Sequence, residues 1–144
     1  ACESAGAHAV VNHRGDKVTA AVIEAAGGGG VDRVVDVEFG ANLPVTIEVL
    51  KVGGVIATYS STQIPEPKLP FFQMMYKDLT VRAIIVYAMP EQAKQQAITD
   101  IATALVNDSL QHRIAEVLPL EEIARSNELV EQGSIRGAVV LATE

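Results

Sequence analysis

Asp32, Asp36 and Glu38 are the first candidates for chemistry, because three carboxylates fall within one short apolar stretch. On a β-strand, residues two positions apart face the same side, so Asp36 and Glu38 would share one face. Two carboxylates on one face can hold a divalent cation. A cation site is therefore one hypothesis for this stretch, although an ordinary strand is the favoured explanation.

The other reactive residues lack the spacing that their chemistry requires. The histidines His8, His13 and His112 show no His-x-x-x-His or Cys-plus-His spacing, so they offer no ligand set for zinc. Ser60 and Ser61 stand outside any Gly-x-Ser-x-Gly motif, which would mark a nucleophile. Local motifs thus predict no metal site and leave the catalytic residue unknown.

The glycine run 27–30 invites comparison with phosphate-binding loops. Neither Gly-x-Gly-x-x-Gly nor Gly-x-x-x-x-Gly-Lys-Ser/Thr fits it, since Asp32 and Arg33 stand where a further glycine is needed. The run is instead predicted to be a flexible turn between a helix and a strand.

Short apolar runs alternate with helical stretches, which is typical of strands buried on both faces of a parallel sheet. Residues 60–70 contain three prolines and are predicted to form a loop, of a length that is often functional. Strands are predicted at residues 9–11, 31–39, 55–59, 79–87, 114–118 and 138–141. Four helices are predicted. The first is capped by Asp16 and ends at Ala25, and the second is capped by Asn42 with Pro44 in its first turn. The third begins at Pro90, and the fourth covers 120–132.

In open parallel sheets, ligands bind beyond the carboxyl ends of the strands. Residues at those ends are therefore the candidates for a binding site, although each set is equally well explained as an ordinary strand-to-helix turn. The sets are residues 12–14, 38–40, 59–61 and 86–87.

Composition restricts the function classes further. The chain has 144 residues, of which 49% are hydrophobic, and its net charge of −7 argues against nucleic acid as a partner. No apolar run approaches the roughly 20 residues needed to span a membrane. The single cysteine, Cys2, forms no internal disulfide, which fits a cytoplasmic protein.

Several stretches, in order, resemble the zinc-free quinone oxidoreductases of the medium-chain dehydrogenase/reductase (alcohol dehydrogenase-like) superfamily. They are 6–14 (GAHAVVNHR), 31–37 (VDRVVDV) with Gly40, 50–56 (LKVGGVI), 77–80 (KDLT), 118–124 (LPLEEIA) and 137–140 (GAVV). The resemblance implies an NADPH-dependent oxidoreductase that transfers hydride to a quinone or enone without zinc. It covers the whole chain, which would be a carboxy-terminal fragment of such an enzyme.

The resemblance also assigns roles to the strand-end residues. His13 and Arg14 would lie beside the adenosine phosphate, although relatives commonly have tyrosine at the first position. The ribose and nicotinamide would be lined by Glu38, Phe39, Gly40, Tyr59, Ser60 and Ser61, and the nicotinamide amide would face the backbone of Val86 and Tyr87.

Two further departures from the family bear on these roles. Glu38 stands where a small polar residue is frequent, and its carboxylate would repel a pyrophosphate if aimed at it. Ala138 stands where relatives often have lysine, so one phosphate contact is lost. Tyr59 and Tyr87 could each donate a proton, but packing against the sheet is the favoured role for both.

The expected fold is α/β, an incomplete Rossmann-type parallel sheet with helices on both faces. Residues 1–109 would form the partial dinucleotide-binding domain, and 110–144 would return to a GroES-like domain. The family's first two strands and glycine loop have no counterpart here, so the strand at 9–12 would lose its neighbour and 31–39 would present an unpaired apolar edge. We expect these strands to pair abnormally or with another chain, or the fragment to have been cut from a folded parent.

The fragment alone is expected to be inactive, and the parent to form a homodimer through the strand 79–87 edge. The alternative function is a non-catalytic binding or structural protein on the same scaffold.

Overall fold

The structure is a computed structural model and describes residues 2–143. The chain divides into two compact units, one extending to Gln96 and the other beginning at Ala97. The elements of the first unit are α1 (Val18–Ala25), β1 (Val31–Asp36), α2 (Phe39–Val49), β2 (Leu50–Thr58), α3 (Phe71–Tyr76), β3 (Thr80–Ala83) and the beginning of α4 (Glu91–Val106). Among the described residues, no helix is long and apolar enough to cross a membrane.

The first unit contains a three-stranded parallel sheet in the order β1-β2-β3. Val34 pairs with Ile56, which pairs with Val81, so these three side chains share one face of the sheet. The core lies on this face, against α2. Its buried members are Leu43, Ile47, Leu50 and Ile56, and Val31, Val34, Phe39, Met74 and Leu79 pack around them.

The second unit contains β4 (Ile114–Pro119), α5 (Ile123–Glu131) and β5 (Ala138–Ala142). The strands β4 and β5 pair in parallel, with Leu118 opposite Leu141. Arg125 on α5 contacts Glu116 at 2.9 Å and Glu122 at 2.8 Å. These contacts raise the pKa of Arg125 above its ordinary value. The largest cause is the hydrogen bond to Glu122, and the negative charges of Glu116 and Glu122 add to it.

The predicted α/β class, an incomplete Rossmann-type parallel sheet, is confirmed. The strands at 114–118 and 138–141, the helix after Pro90 and the loop over 60–70 are also confirmed. The strand predicted at 55–59 is confirmed up to Thr58, although β2 begins earlier, at Leu50. The glycine run is a turn between α1 and β1, with positive φ at Gly27, Gly28 and Gly30. The assignment of 1–109 and 110–144 to two domains stays a prediction.

The predicted strand over residues 9–11 is wrong. These residues have no regular secondary structure, and Val10 is 53% exposed. A strand needs a neighbour for its backbone hydrogen bonds, and within the described residues none lies beside this segment. The predicted strand 31–39 is too long, since β1 ends at Asp36 and Phe39 begins α2. Within residues 2–143, β1 pairs only with β2 and is the expected edge of the sheet, and neither 9–12 nor 31–39 pairs abnormally there.

The predicted strand 79–87 is too long, since β3 covers only Thr80–Ala83 and Val86–Ala88 form a 3-10 turn. The reason is the length of its neighbour. Ala83 pairs with Thr58, the last residue of β2, and only one further bond follows, from Ile84 N to Thr58 O at 2.8 Å. β3 is nevertheless an edge strand, as predicted.

Two predicted helix caps are also wrong. Lys17, not Asp16, precedes α1, and no side chain caps that helix. α2 begins at Phe39 after Glu38, so Asn42 lies in its first turn and Pro44 lies inside the helix.

Candidate functional site

The carboxyl ends of β1, β2 and β3 meet at one edge of the sheet, which we call the ligand edge. Asp36, Thr58 and Ala83 are paired across the three strands and mark this edge. Three of the four predicted sets, residues 38–40, 59–61 and 86–87, follow these strand ends in the chain. The candidates from β1 and β2 are joined by hydrogen bonds.

The first turn of α2 is held by the loop that follows β2. Phe39 N donates to Ser60 O at 2.9 Å, and Gly40 N donates to Ser61 Oγ at 2.9 Å. The first N–H groups of a helix lack partners within the helix, so the loop satisfies two of them. This pairing explains why α2 begins three residues before the predicted cap.

Ser61 is a structural residue of this junction. Its hydroxyl accepts from Gly40 N and donates to Ile64 O at 2.6 Å. A Cβ at position 40 would overlap the backbone oxygen of Ile64 and lie 2.9 Å from Ser61 Oγ. Only glycine permits this close approach of helix and loop.

The Glu38 carboxylate points into the same loop. Its Oε2 accepts from Thr62 N at 3.0 Å, and its Oε1 accepts from Gln63 N at 2.9 Å. Each oxygen therefore accepts one of two consecutive backbone N–H groups.

Asp36 is buried at the end of β1, with 3% of its surface exposed. Its Oδ1 accepts from Glu38 N at 2.9 Å and from Asn42 Nδ2 at 2.8 Å. Its Oδ2 is buried with no hydrogen-bond partner among the described residues. Asn42 thus contributes to the helix start through its side chain, by binding Asp36 rather than by capping.

The donor set of this edge does not fit a metal ion. Asp36 Oδ1 already accepts two N–H donors and Asp36 Oδ2 is sealed from solvent, so Asp36 offers a cation no accessible oxygen. The two Glu38 oxygens each accept one N–H group and do not form a ligand set alone. Across residues 2–143 no three His, Cys, Asp or Glu side chains are grouped to hold a metal.

Exposed hydroxyl groups line the solvent side of the ligand edge. Ser60 Oγ and Thr62 Oγ1 lie 3.2 Å apart and share a hydrogen bond. The side chain of Tyr59 is 61% exposed and that of Tyr87 is 88% exposed. The expectation that both tyrosines pack against the sheet is therefore wrong.

Val86 and Tyr87 lie in the 3-10 turn that follows β3. The Tyr87 carbonyl accepts a long hydrogen bond of 3.5 Å from Lys94 Nζ. Both residues follow the strand end at the ligand edge, although their hydrogen bonds do not connect them to the Glu38 and Ser61 junction.

His13 and Arg14 are not tied to the junction. They lie in an exposed turn before α1, where Arg14 N donates to Asn12 Oδ1 at 3.1 Å. No hydrogen bond or ion pair of either side chain is present within the described chain.

Four residues of the junction are absent from the sequence-based site: Asn42, Thr62, Gln63 and Ile64. Three of them directly follow Ser61, so extending the predicted set along the polar loop would have included them. No local signal indicates that Glu38 reaches residues 24 and 25 positions away.

Solved structures share this fold at low sequence identity. An NAD-dependent alcohol dehydrogenase matches with 26% identity and a TM-score of 0.78, over 99% of this chain and 40% of its own. A 2-haloacrylate reductase matches with 20% identity and a TM-score of 0.83, over 96% of this chain and 44% of the reductase. A mycobacterial quinone oxidoreductase matches with 20% identity and a TM-score of 0.85, over 98% of this chain and 44% of the oxidoreductase.

The chain therefore spans less than half the length of these structures. No curated protein sequence matches it. The family model described as zinc-binding dehydrogenase matches residues 5–141, which is nearly the whole chain. The chain belongs to the zinc-binding dehydrogenase family.

Proposed function

We propose that this chain is the cofactor-lining part of an NADPH-dependent oxidoreductase that transfers hydride to a quinone or an enone. One observation carries the proposal: residues 38–40 and 59–61 meet at the carboxyl edge of a parallel sheet and are joined there by hydrogen bonds. That edge is where open α/β sheets bind their ligands.

The described residues fit a dinucleotide only in part. The exposed hydroxyls of Ser60 and Thr62 offer hydrogen bonds to a ribose, and the exposed guanidinium of Arg14 offers a bidentate contact to a phosphate. Two backbone N–H groups hold the Glu38 carboxylate, which weakens its repulsion of a phosphate. The pyrophosphate needs donors that these residues do not supply, since they contain no glycine loop.

When bound, NADPH supplies a hydride, which reduces the acceptor as the nicotinamide is oxidised. The acceptor then takes up a proton, so that a quinone becomes a hydroquinone or an enone a saturated ketone. The contribution of this chain is to orient the nicotinamide and shield it from water. Tyr59 and Tyr87 present exposed hydroxyls near the ends of β2 and β3, and either can relay the proton.

The family's description names zinc, but residues 2–143 contain no group of side chains that could bind it. The proposed reaction therefore uses no zinc ion held by this chain.

We place the protein in the cytoplasm as a homodimer that uses the uncovered edge of β3. Val81 of β3 is 39% exposed, and Ile85, two residues beyond the end of β3, is 58% exposed.

The test is titration of the full-length protein with NADPH, followed by nicotinamide fluorescence. Saturable binding below about millimolar, together with NADPH oxidation on addition of a benzoquinone or an enone, is the expected result. Absence of saturable binding would refute the proposal and favour a non-catalytic binding or structural protein. NADH titrated in parallel reports the preference between the two cofactors.

A further inference from the structure

Thr62 and Gln63 present two consecutive backbone N–H groups to one carboxylate. Successive N–H groups that point at the same place form a concave site for an anion. Here the anion belongs to the chain itself, since Glu38 reaches both groups, at 3.0 and 2.9 Å.

The position of Glu38 makes this contact a link between two elements. Glu38 immediately precedes α2, and Thr62 and Gln63 lie four and five residues beyond the end of β2. The same loop is tied to α2 by Ser61 Oγ, which accepts from Gly40 N. The loop is thus fixed at both Ser61 and Gln63 before any ligand is present.

Two physical effects of Glu38 on an anionic ligand have opposite signs. A carboxylate near the ligand edge repels phosphate, so removing it should tighten NADPH binding. A carboxylate that holds the loop removes part of the ordering cost of binding, so removing it should weaken NADPH binding. The two N–H bonds partly neutralise the charge of Glu38 and therefore favour the second effect.

We propose that Glu38 is a positioning residue, whose carboxylate fills the anion site of Thr62 and Gln63 and so holds residues 60–63 in the conformation that receives the cofactor. The cofactor part of this inference rests on the proposed function. The holding of the loop does not, and it is tested separately.

The variants are Glu38→Gln and a matched control, Glu66→Gln. Both remove one negative charge and keep the size of the side chain, and Glu66 is exposed in the same loop with no partner among the described residues. Glutamine at position 38 retains one accepting oxygen but turns an NH₂ group toward the second N–H. Glu38→Ala, which removes both acceptors, is the stronger variant.

The first measurement is amide hydrogen exchange in the cofactor-free full-length protein. We expect the amides of Thr62 and Gln63 to exchange about tenfold faster in Glu38→Ala, equivalent to about 1.4 kcal/mol. Glu38→Gln should lie between Glu38→Ala and the wild type, and Glu66→Gln should match the wild type. Unchanged exchange at both amides in Glu38→Ala would overturn the inference.

The second measurement is NADPH binding and turnover. We expect the KM for NADPH to rise in Glu38→Gln while the KM for the acceptor stays constant. A variant that was merely less stable would instead lower the concentration of active enzyme and leave both KM values unchanged. Equal or tighter NADPH binding in Glu38→Gln would overturn the positioning role, and tighter binding would in addition support repulsion.

Failure of the proposed function gives a different result. In that case the wild type itself would not bind NADPH, while the exchange rates of Thr62 and Gln63 would still decide whether Glu38 holds the loop.

Discussion

Replacing Lys77 by methionine should destabilise the protein more than any other exposed or half-exposed lysine substitution. The ammonium of Lys77 donates to the carbonyl oxygens of Ile47, Glu48 and Leu50 at 2.7, 3.0 and 2.7 Å. The first two belong to the last turn of α2 and the third begins β2. Lys77 therefore caps the carboxyl end of the helix and fixes the start of the following strand.

The magnitude follows from the number and burial of these contacts. A hydrogen bond to a charged group contributes about 1.5–3 kcal/mol, and a cation at a helix carboxyl end up to about 2 kcal/mol. The three bonds share one ammonium group and its desolvation, so their energies do not add. Because Ile47 and Leu50 are only 4% and 2% exposed, their carbonyls would lose a partner that water replaces poorly. We expect a loss of about 2–4 kcal/mol.

The assay is urea unfolding of Lys77→Met beside the control Lys68→Met, with the free energy taken from the midpoint at unchanged slope. Lys68 is exposed in the loop 60–70 and has no partner among the described residues, so its substitution should be nearly neutral. Methionine retains the apolar stem in both variants, which isolates the ammonium. A difference below about 0.5 kcal/mol between the two variants would refute the capping role.

Three further predictions concern packing, cofactor choice and assembly. Gly40→Ala should lower the free energy of unfolding, measured with heat or urea, by about 1–3 kcal/mol, because the new Cβ overlaps the loop backbone. The control Gly29→Ala should leave it unchanged, because its Cβ meets only a side-chain carbon at 3.8 Å. Arg14→Gln should weaken NADPH binding about tenfold or more and leave NADH binding unchanged. The control Arg33→Gln, which removes the same charge, should affect the binding of neither cofactor. Equal losses of NADPH and NADH binding in Arg14→Gln would count against a phosphate contact. Ile85→Lys should dissociate the full-length dimer in sedimentation, because it places a charge two residues beyond the end of the uncovered β3 edge. An intact dimer would argue against that interface.

The parts of the fold that sequence patterns predict well are those decided within a single segment. The helix after Pro90 follows from its apolar spacing, and the turn at Gly27–Gly30 follows from glycine's tolerance of positive φ. The parallel strand around Val55–Thr58 follows from its unbroken apolar run. In each case the local pattern and the tertiary environment favour the same structure.

The errors occur where a distant segment decides the outcome. Residues 9–11 have the composition of a strand but no neighbour to pair with, and β3 stops where β2 stops. Lys77 shows the same dependence in a different form. The sequence places it only in a motif, 77–80, that carries a family resemblance. Its physical role depends on the end of α2, whose carbonyl groups it binds.

The start of α2 unites these observations, because the helix boundary and the candidate binding edge are one structure. Local rules favour Asn42 as the cap, since asparagine is among the best capping residues. The helix begins at Phe39 instead, because Ser60 and Ser61 supply acceptors to its first two N–H groups and Asn42 binds Asp36. A substitution that displaces the loop should therefore unwind the first turn of α2 as well, and with it the surface formed by residues 38–40. Loss of order at the loop and loss of ligand binding at this edge should consequently occur together.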